Sequence, residues 1–160
     1  MKIAVVPGTF DPITEGHKDV IVRASSLFDK VIVGVAASSA KRPLFSHEER
    51  IALATESLKE LESVEVRGFG GLLSKFVLEC DACAVVKGLR AITDFEYEFQ
   101  MSAINYQLDK GIETLFLMSP PQYMYLSSSV VRELASFHGD FEQFVSPCVA
   151  KALKERFAGK

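Results

Sequence analysis

Five short apolar runs, separated by stretches with a helical period, constrain this chain more than any other feature. The runs are Lys2-Ile3-Ala4-Val5-Val6, Val31-Ile32-Val33-Gly34-Val35, the shorter Val64-Glu65-Val66, Ala82-Cys83-Ala84-Val85-Val86 and Thr114-Leu115-Phe116-Leu117-Met118. Near-continuous apolar runs of this length suit strands buried on both faces, as in parallel sheets. Residues 16–28 repeat apolar side chains at helical spacing through Val20, Ile21, Ala24, Leu27 and Phe28. Residues 47–61 do so through Ile51, Leu53, Ala54, Leu58 and Leu61, opened by Ser46 with Glu49 three residues on, a capping box. Further helical patterns cover residues 72–80, 95–109, 129–137 and 147–157.

Strand and helix alternate along the whole chain, and right-handed crossovers then place helices on both faces of a parallel sheet. The expectation is a doubly wound, Rossmann-like α/β fold with a five-stranded sheet. At 160 residues, with Gly and Pro falling singly between periodic segments and no internal repeat, residues 1–160 are expected to form a single domain.

Charge and cysteine content narrow the function. Lysine and arginine number 18 against 21 aspartates and glutamates, a net charge of −3, so no global field exists to hold a polyanion and general nucleic-acid binding is excluded. No apolar run approaches the length of a membrane span, and Met1-Lys2 leads directly into a strand run in place of a secretory leader, so a soluble cytoplasmic protein is expected. Three cysteines, Cys80, Cys83 and Cys148, cannot all pair within one chain. Cys80-Asp81-Ala82-Cys83 lacks the second ligand pair that a zinc site needs, so reduced thiols flanking a turn are expected.

In a doubly wound fold, ligands bind beyond the carboxyl ends of the strands, which makes each strand-to-helix junction a candidate site. The first reads Pro7-Gly8-Thr9-Phe10-Asp11-Pro12-Ile13-Thr14-Glu15-Gly16-His17. It has neither the Gly-Lys-Ser/Thr of a P-loop nor the glycine spacing of a dinucleotide fold. His17 falls in the first helical turn, where free N–H groups and the positive dipole end favour an anion; its structural reading is a solvent-facing histidine. The second junction carries Lys41 and Arg42, and the third reads Phe69-Gly70-Gly71-Leu72-Leu73, whose leucines either wall an apolar pocket or pack into the core. The fourth, Lys87-Gly88-Leu89-Arg90, sets two cations at a strand end and is followed by the acidic helix start Asp94-Phe95-Glu96-Tyr97-Glu98. The fifth, Tyr123-Met124-Tyr125-Leu126-Ser127-Ser128-Ser129, puts three hydroxyls at a helix start, one as a cap and two as an anion cradle. In a parallel sheet these groups all emerge along one edge, which suits a small, multiply phosphorylated ligand and phosphoryl or nucleotidyl transfer.

The segments Pro7-Gly8-Thr9-Phe10-Asp11-Pro12 with Thr14-Glu15-Gly16-His17, Lys87-Gly88-Leu89-Arg90 with Asp94-Phe95-Glu96-Tyr97-Glu98, and Leu126-Ser127-Ser128-Ser129 with Val131-Arg132 together resemble the bacterial phosphopantetheine adenylyltransferase family. The first segment marks the wider nucleotidyltransferase superfamily, and the Gly-Leu-Arg to Phe-Glu-Tyr-Glu stretch narrows it. The resemblance implies transfer of AMP from ATP to 4′-phosphopantetheine, giving dephospho-CoA and pyrophosphate, with Mg2+ accompanying the phosphates. It also implies a cytoplasmic homohexamer, with dephospho-CoA or CoA as product or feedback ligand. By the same resemblance, Thr9, Phe10, His17, Gly88, Leu89, Arg90, Glu98 and the segment Tyr123, Met124, Tyr125, Leu126, Ser127, Ser128 and Ser129 meet ATP. Thr9, Lys41, Leu73 and Lys87 meet the acceptor, and His17 stabilises the transition state with Lys41 and Arg90 neutralising phosphate charge. Many members carry Arg where this chain has Lys87, which keeps the charge and loses the bidentate fork. Gly70-Gly71 stands where others often carry a polar residue.

A phosphate acceptor is already anionic near neutral pH, so no general base, covalent nucleophile or protein metal cage is expected. Alignment for in-line attack and charge stabilisation carry the chemistry. Transfer to another phosphorylated acceptor, a non-catalytic nucleotide-binding module and a plain α/β scaffold are the alternatives.

Overall fold

The computed structural model describes residues 1–37 and 42–159. Lys41, expected at the acceptor side of the site, lies outside the described residues. The chain alternates β1 (Ile3–Gly8), α1 (Glu15–Ser25), β2 (Lys30–Ala36), α2 (His47–Leu58), β3 (Val64–Phe69), α3 (Leu73–Glu79), β4 (Ala84–Leu89), α4 (Ile92–Leu108) and β5 (Glu113–Met118). Two further helices follow, α5 (Ser128–Ser136) and α6 (Pro147–Phe157). The strands form one sheet in the order β3-β2-β1-β4-β5, every neighbouring pair parallel. This is the doubly wound arrangement that the alternating pattern predicts, with its reversal of direction between β1 and β4.

The period-2 geometry of the strands divides their apolar residues between two layers. Ala4, Val6, Val31, Val33, Val35, Ala84 and Val86 face the larger core, built with Val20, Ile21 and Ala24 of α1, Ala54 and Leu58 of α2, Val131 and Ala135 of α5, and Val149 and Leu153 of α6. Val5, Ile32 and Val85 face the other way, onto Phe76 and Val77 of α3. α4 lies beside α3 on that second face and leaves Phe95, Tyr97, Phe99, Ile104, Tyr106 and Leu108 exposed. No helix among the described residues is long and apolar enough to cross a membrane.

The structure extends several elements past their sequence pattern. β3 runs to Phe69, because its last residues pair with Val35 and Ala36 of β2 although Arg67 and Gly68 break the apolar run. α4 begins at Ile92, before the acidic residues that mark it in sequence. Cys80 closes α3 and Asp81 turns the chain at φ 50, while Cys83 is exposed just before β4; all three cysteines are free thiols.

β1 and β4 pair only through Ala4↔Ala84 and Val5↔Val85, although β1 continues to Gly8 and β4 to Leu89. Pro7 contributes to this parting, since it has no N–H to offer a ladder. β1 remains in register with β2 as far as Gly8↔Val35, and β4 with β5 as far as Leu89↔Met118. The sheet therefore splits between its two middle strands at their carboxyl ends.

Candidate active site

A cleft of about 340 Å³ occupies that split, lined by Val6 and Pro7 of β1, Val86, Lys87 and Gly88 of β4, and the starts of α1 and α5. Of the residues expected to meet ligands, Thr9, Phe10, His17, Lys87, Gly88, Arg90, Tyr123, Leu126, Ser127, Ser128 and Ser129 line it. Leu89 is buried, and Glu98 reaches the cleft through Lys87, with which it forms an ion pair. Met124 and Tyr125 are exposed outside the lining, and Leu73 packs at the margin of the smaller core. Leu73 is half-buried there and is not among the residues that line this cleft.

The first junction is held at every turn. Asp11 is buried, and its carboxylate accepts the N–H groups of Leu44 at 2.8 Å and Phe45 at 2.9 Å, just ahead of α2. The Asp11 carbonyl accepts from Arg132 of α5 at 2.5 Å, and the Pro12 carbonyl accepts from the Ser128 hydroxyl at 2.7 Å. The loop after β1 is thus bound to the elements that open the second and fifth crossovers. Phe10 adopts φ 48 and folds its ring back beneath Gly8, where an added Cβ would lie 2.9 Å from the ring. A larger residue there would have to displace that ring. Gly88 has the same role for α1, because a Cβ on it would meet Val20 at 2.8 Å.

His17 stands at the third position of α1, with Thr14 as the N-cap. The Thr14 N–H donates to His17 Nδ1 at 3.0 Å, and the His17 N–H donates back to the Thr14 hydroxyl at 3.4 Å. This reciprocal cap uses a histidine where glutamate or glutamine is usual. The Phe10 ring meets the imidazole edge to face, with centroids 5.0 Å apart. Burial, and then the positive charge of Arg90, lowers the His17 pKa from 6.5 to about 4. The ring is therefore neutral near pH 7, and because Nδ1 accepts from an amide, its proton sits on Nε2. A neutral donor is set at a helix N-terminus beside the cleft.

The cations are more compensated than the sequence suggests. Lys87 pairs with Glu98, and Arg90 lies 3.3 Å from Asp94 Oδ2 while donating to the Leu126 carbonyl at 2.8 Å. The acidic start of α4, most of whose charges the helix dipole explains in sequence, also neutralises the two cations at the end of β4. The three serines likewise carry structural duties. Ser127 accepts from Val130 as the α5 cap, Ser128 bonds Pro12, and Ser129 accepts from Arg132 at 3.2 Å. Of the three, Ser128 spends its O–H on Pro12, whereas Ser127 and Ser129 act as acceptors in these bonds and keep their O–H groups as donors beside the first amides of α5, which have no intrahelical acceptor.

Sequence reasoning passed over Ser119, which lines the cleft from the end of β5, and the anchoring roles of Asp11 and Arg132. The Asp-Pro and Val-Arg parts of the motifs were the available signals. Among the described residues there is no group of three or more His, Cys, Asp and Glu side chains placed to hold a metal ion.

The sequence profile of the cytidylyltransferase-like family matches residues 5–134. The chain is 54% identical over 156 residues to the phosphopantetheine adenylyltransferase of Thiobacillus denitrificans, covering 98% of each chain. It is 51% identical over 157 residues to that of Caldanaerobacter subterraneus subsp. tengcongensis, again covering 98% of each. The fold matches a Vibrio parahaemolyticus protein assigned as a nicotinate-nucleotide adenylyltransferase, with TM-score 0.69 and 19% identity over 96% of this chain and 99% of that one. It also matches a bifunctional NMN adenylyltransferase/ADP ribose pyrophosphatase from Francisella tularensis, with TM-score 0.72 and 15% identity over 96% of this chain and 49% of that one. Those two likenesses speak to the fold, whereas the curated relatives share half their residues with this chain over nearly its whole length. The chain belongs to the phosphopantetheine adenylyltransferase family, within the cytidylyltransferase-like nucleotidyltransferases.

Proposed function

We propose that the cleft between β1 and β4 transfers the adenylyl group of ATP to the phosphate of 4′-phosphopantetheine, forming dephospho-CoA and releasing pyrophosphate. The observation that carries this reading is the convergence on one split in the sheet of two helix N-termini, Lys87, Arg90 and the neutral Nε2 donor of His17. An oxygen of the acceptor phosphate attacks the α-phosphorus of ATP in line, a P–O bond forms, and the bond to the β-phosphate breaks with its electron pair leaving on pyrophosphate. The acceptor is already anionic, so no protein nucleophile is required. His17 donates from Nε2 to the charge that grows on the α-phosphate, a donor that needs no reorganisation because its ring is fixed by Thr14.

In this reading Thr9 bridges the two substrates, and Phe10, Gly88, Leu89, Arg90, Glu98 and residues 123–129 hold ATP. Lys87 and Lys41 take the acceptor phosphate, with Leu73 toward the pantetheine arm. Lys41 and Arg90 lessen the repulsion between the two anions. Mg2+ enters with the nucleotide and is carried mainly by its phosphates and water. The exposed aromatic face of α4 supplies apolar surface for self-association, which supports a homohexamer. The enzyme works in the cytoplasm, with dephospho-CoA or CoA as product or feedback ligand.

The test is the configuration at the α-phosphorus when an ATP analogue chiral at that atom is turned over with 4′-phosphopantetheine. Single in-line displacement inverts it. Retention would require a covalent adenylyl-enzyme and would overturn the mechanism, while turnover only with a different phosphorylated acceptor would overturn the substrate.

A further inference from the structure

Arg50 is the largest fully buried side chain among the described residues, with 1% of its surface exposed, and it lies in the first turn and a half of α2. Two general preferences oppose a cation there. Burial strips its hydration, and the positive end of the helix dipole is close by. Among the described residues its partners are all main-chain carbonyls and none is a carboxylate. Nε donates to Phe45 O at 3.2 Å, one terminal nitrogen donates to Thr9 O at 2.6 Å and Ala36 O at 2.9 Å, and the other reaches Ala37 O at 3.5 Å.

These carbonyls come from three different segments: the loop after β1, the end of β2 and the turn before α2. The bond to Thr9 is the shortest of the set, and Thr9 directly precedes Phe10 in its left-handed conformation. A left-handed phenylalanine persists only where its surroundings hold it. Asp11 grips Phe45 by its N–H while Arg50 grips the same residue by its carbonyl, so the two side chains close a ring of contacts around the loop. A buried apolar residue here would leave these carbonyls without their donor, so the planar fork is what sets arginine apart at this position.

We infer that Arg50 is a positioning residue for adenylyl transfer: by holding the Thr9 carbonyl from beneath the cleft, it sets where the Thr9 side chain meets the reacting phosphates. The inference rests on the role of Thr9 under the proposed function. Arg50 itself does not line the cleft.

The test is a double-mutant cycle of Arg50→Lys and Thr9→Ala, read by steady-state kinetics well below each variant's melting temperature. Lysine keeps the charge and loses the fork. In the parent background Arg50→Lys lowers kcat roughly 30-fold, with KM for ATP changed less than roughly 3-fold, because misplacement by a fraction of an ångström acts on alignment. In the Thr9→Ala background the same substitution lowers kcat less than roughly 3-fold, since the group it positions is gone, while the melting temperature falls equally in both backgrounds. Equal kcat losses in the two backgrounds, or a kcat unchanged by Arg50→Lys, overturn the inference and leave the proposed function standing. A Thr9→Ala variant with unaltered kinetics overturns the inference together with the role given to Thr9. If Arg50→Lys does not fold, Arg50→Gln goes through the same cycle; failure of both to fold assigns Arg50 a purely structural role and overturns the inference.

Discussion

The Thr14 backbone N–H donates to Nδ1 of His17 across 3.0 Å, so the imidazole proton resides on Nε2, the nitrogen left to face the cleft. The cap that starts α1 and the donor that serves the reaction are the same contact. His17→Ala is therefore expected to lower kcat by roughly 10²- to 10³-fold while changing ATP affinity much less. Steady-state kinetics beside calorimetric ATP binding checks this, and equal losses in rate and affinity contradict it.

The lowered pKa of His17 gives a pH signature. Its folded value, about 4, lies below the unfolded value of 6.5, chiefly because burial disfavours the imidazolium and next because Arg90 repels it. Between those values the unfolded chain binds more protons than the folded one, so the His17 contribution to stability is complete above pH 6.5 and is lost as pH falls toward 4. The cleft side of the ring is open to water, which softens the effect. Urea denaturation at pH 7 and pH 5 should show a loss of stability that is smaller in His17→Ala. On the same grounds kcat carries no His17 limb between about pH 6 and 8; a limb near 6.5 that vanishes in His17→Ala contradicts the assignment.

Lys87 and Glu98 neutralise one another at the end of β4, with side chains 15% and 24% exposed. Lys87→Ala is expected to raise KM for 4′-phosphopantetheine roughly 10-fold or more and KM for ATP by less, since a charge-assisted contact to the acceptor phosphate is lost. Measuring both constants in one variant checks the ranking. A larger rise for ATP would move Lys87 to the nucleotide side.

Asp11 tests how firmly the first junction is built. Asp11→Ala removes the acceptor for the Leu44 and Phe45 amides and the charge 3.7 Å from Arg132. Unsatisfied buried donors of this kind cost roughly 1–3 kcal/mol each, so a fall in stability of about 2–4 kcal/mol and in melting temperature of roughly 5–15 °C is expected. Calorimetry reads it directly, and a shift below 2 °C would mean that water replaces the carboxylate.

Much of this molecule is legible before any coordinates. Buried parallel strands announce themselves because both faces must be apolar, as Val31 to Val35 show, and Ser46 with Glu49 opens α2 as its spacing demands. His17 and the Lys87 to Arg90 junction were visible because helix starts and strand ends fall at predictable places. What escaped depends on contacts between distant parts of the chain. The pairing of Lys87 with Glu98 needs α4 to fold back along β4, and the engagement of Ser128 with Pro12 joins residues 116 apart. Arg50 gave no local sign at all, since an arginine amid charged helix residues reads as solvated until packing buries it. The split of β1 from β4 has only Pro7 as its trace in the sequence.

The most direct measurement is pyrophosphate release from ATP and Mg2+, with 4′-phosphopantetheine compared against pantetheine lacking the phosphate. The account predicts release with the phosphorylated acceptor and none with pantetheine, because the acceptor phosphate is the nucleophile. Release that does not depend on that phosphate, or ATP binding with no release in either case, would contradict it.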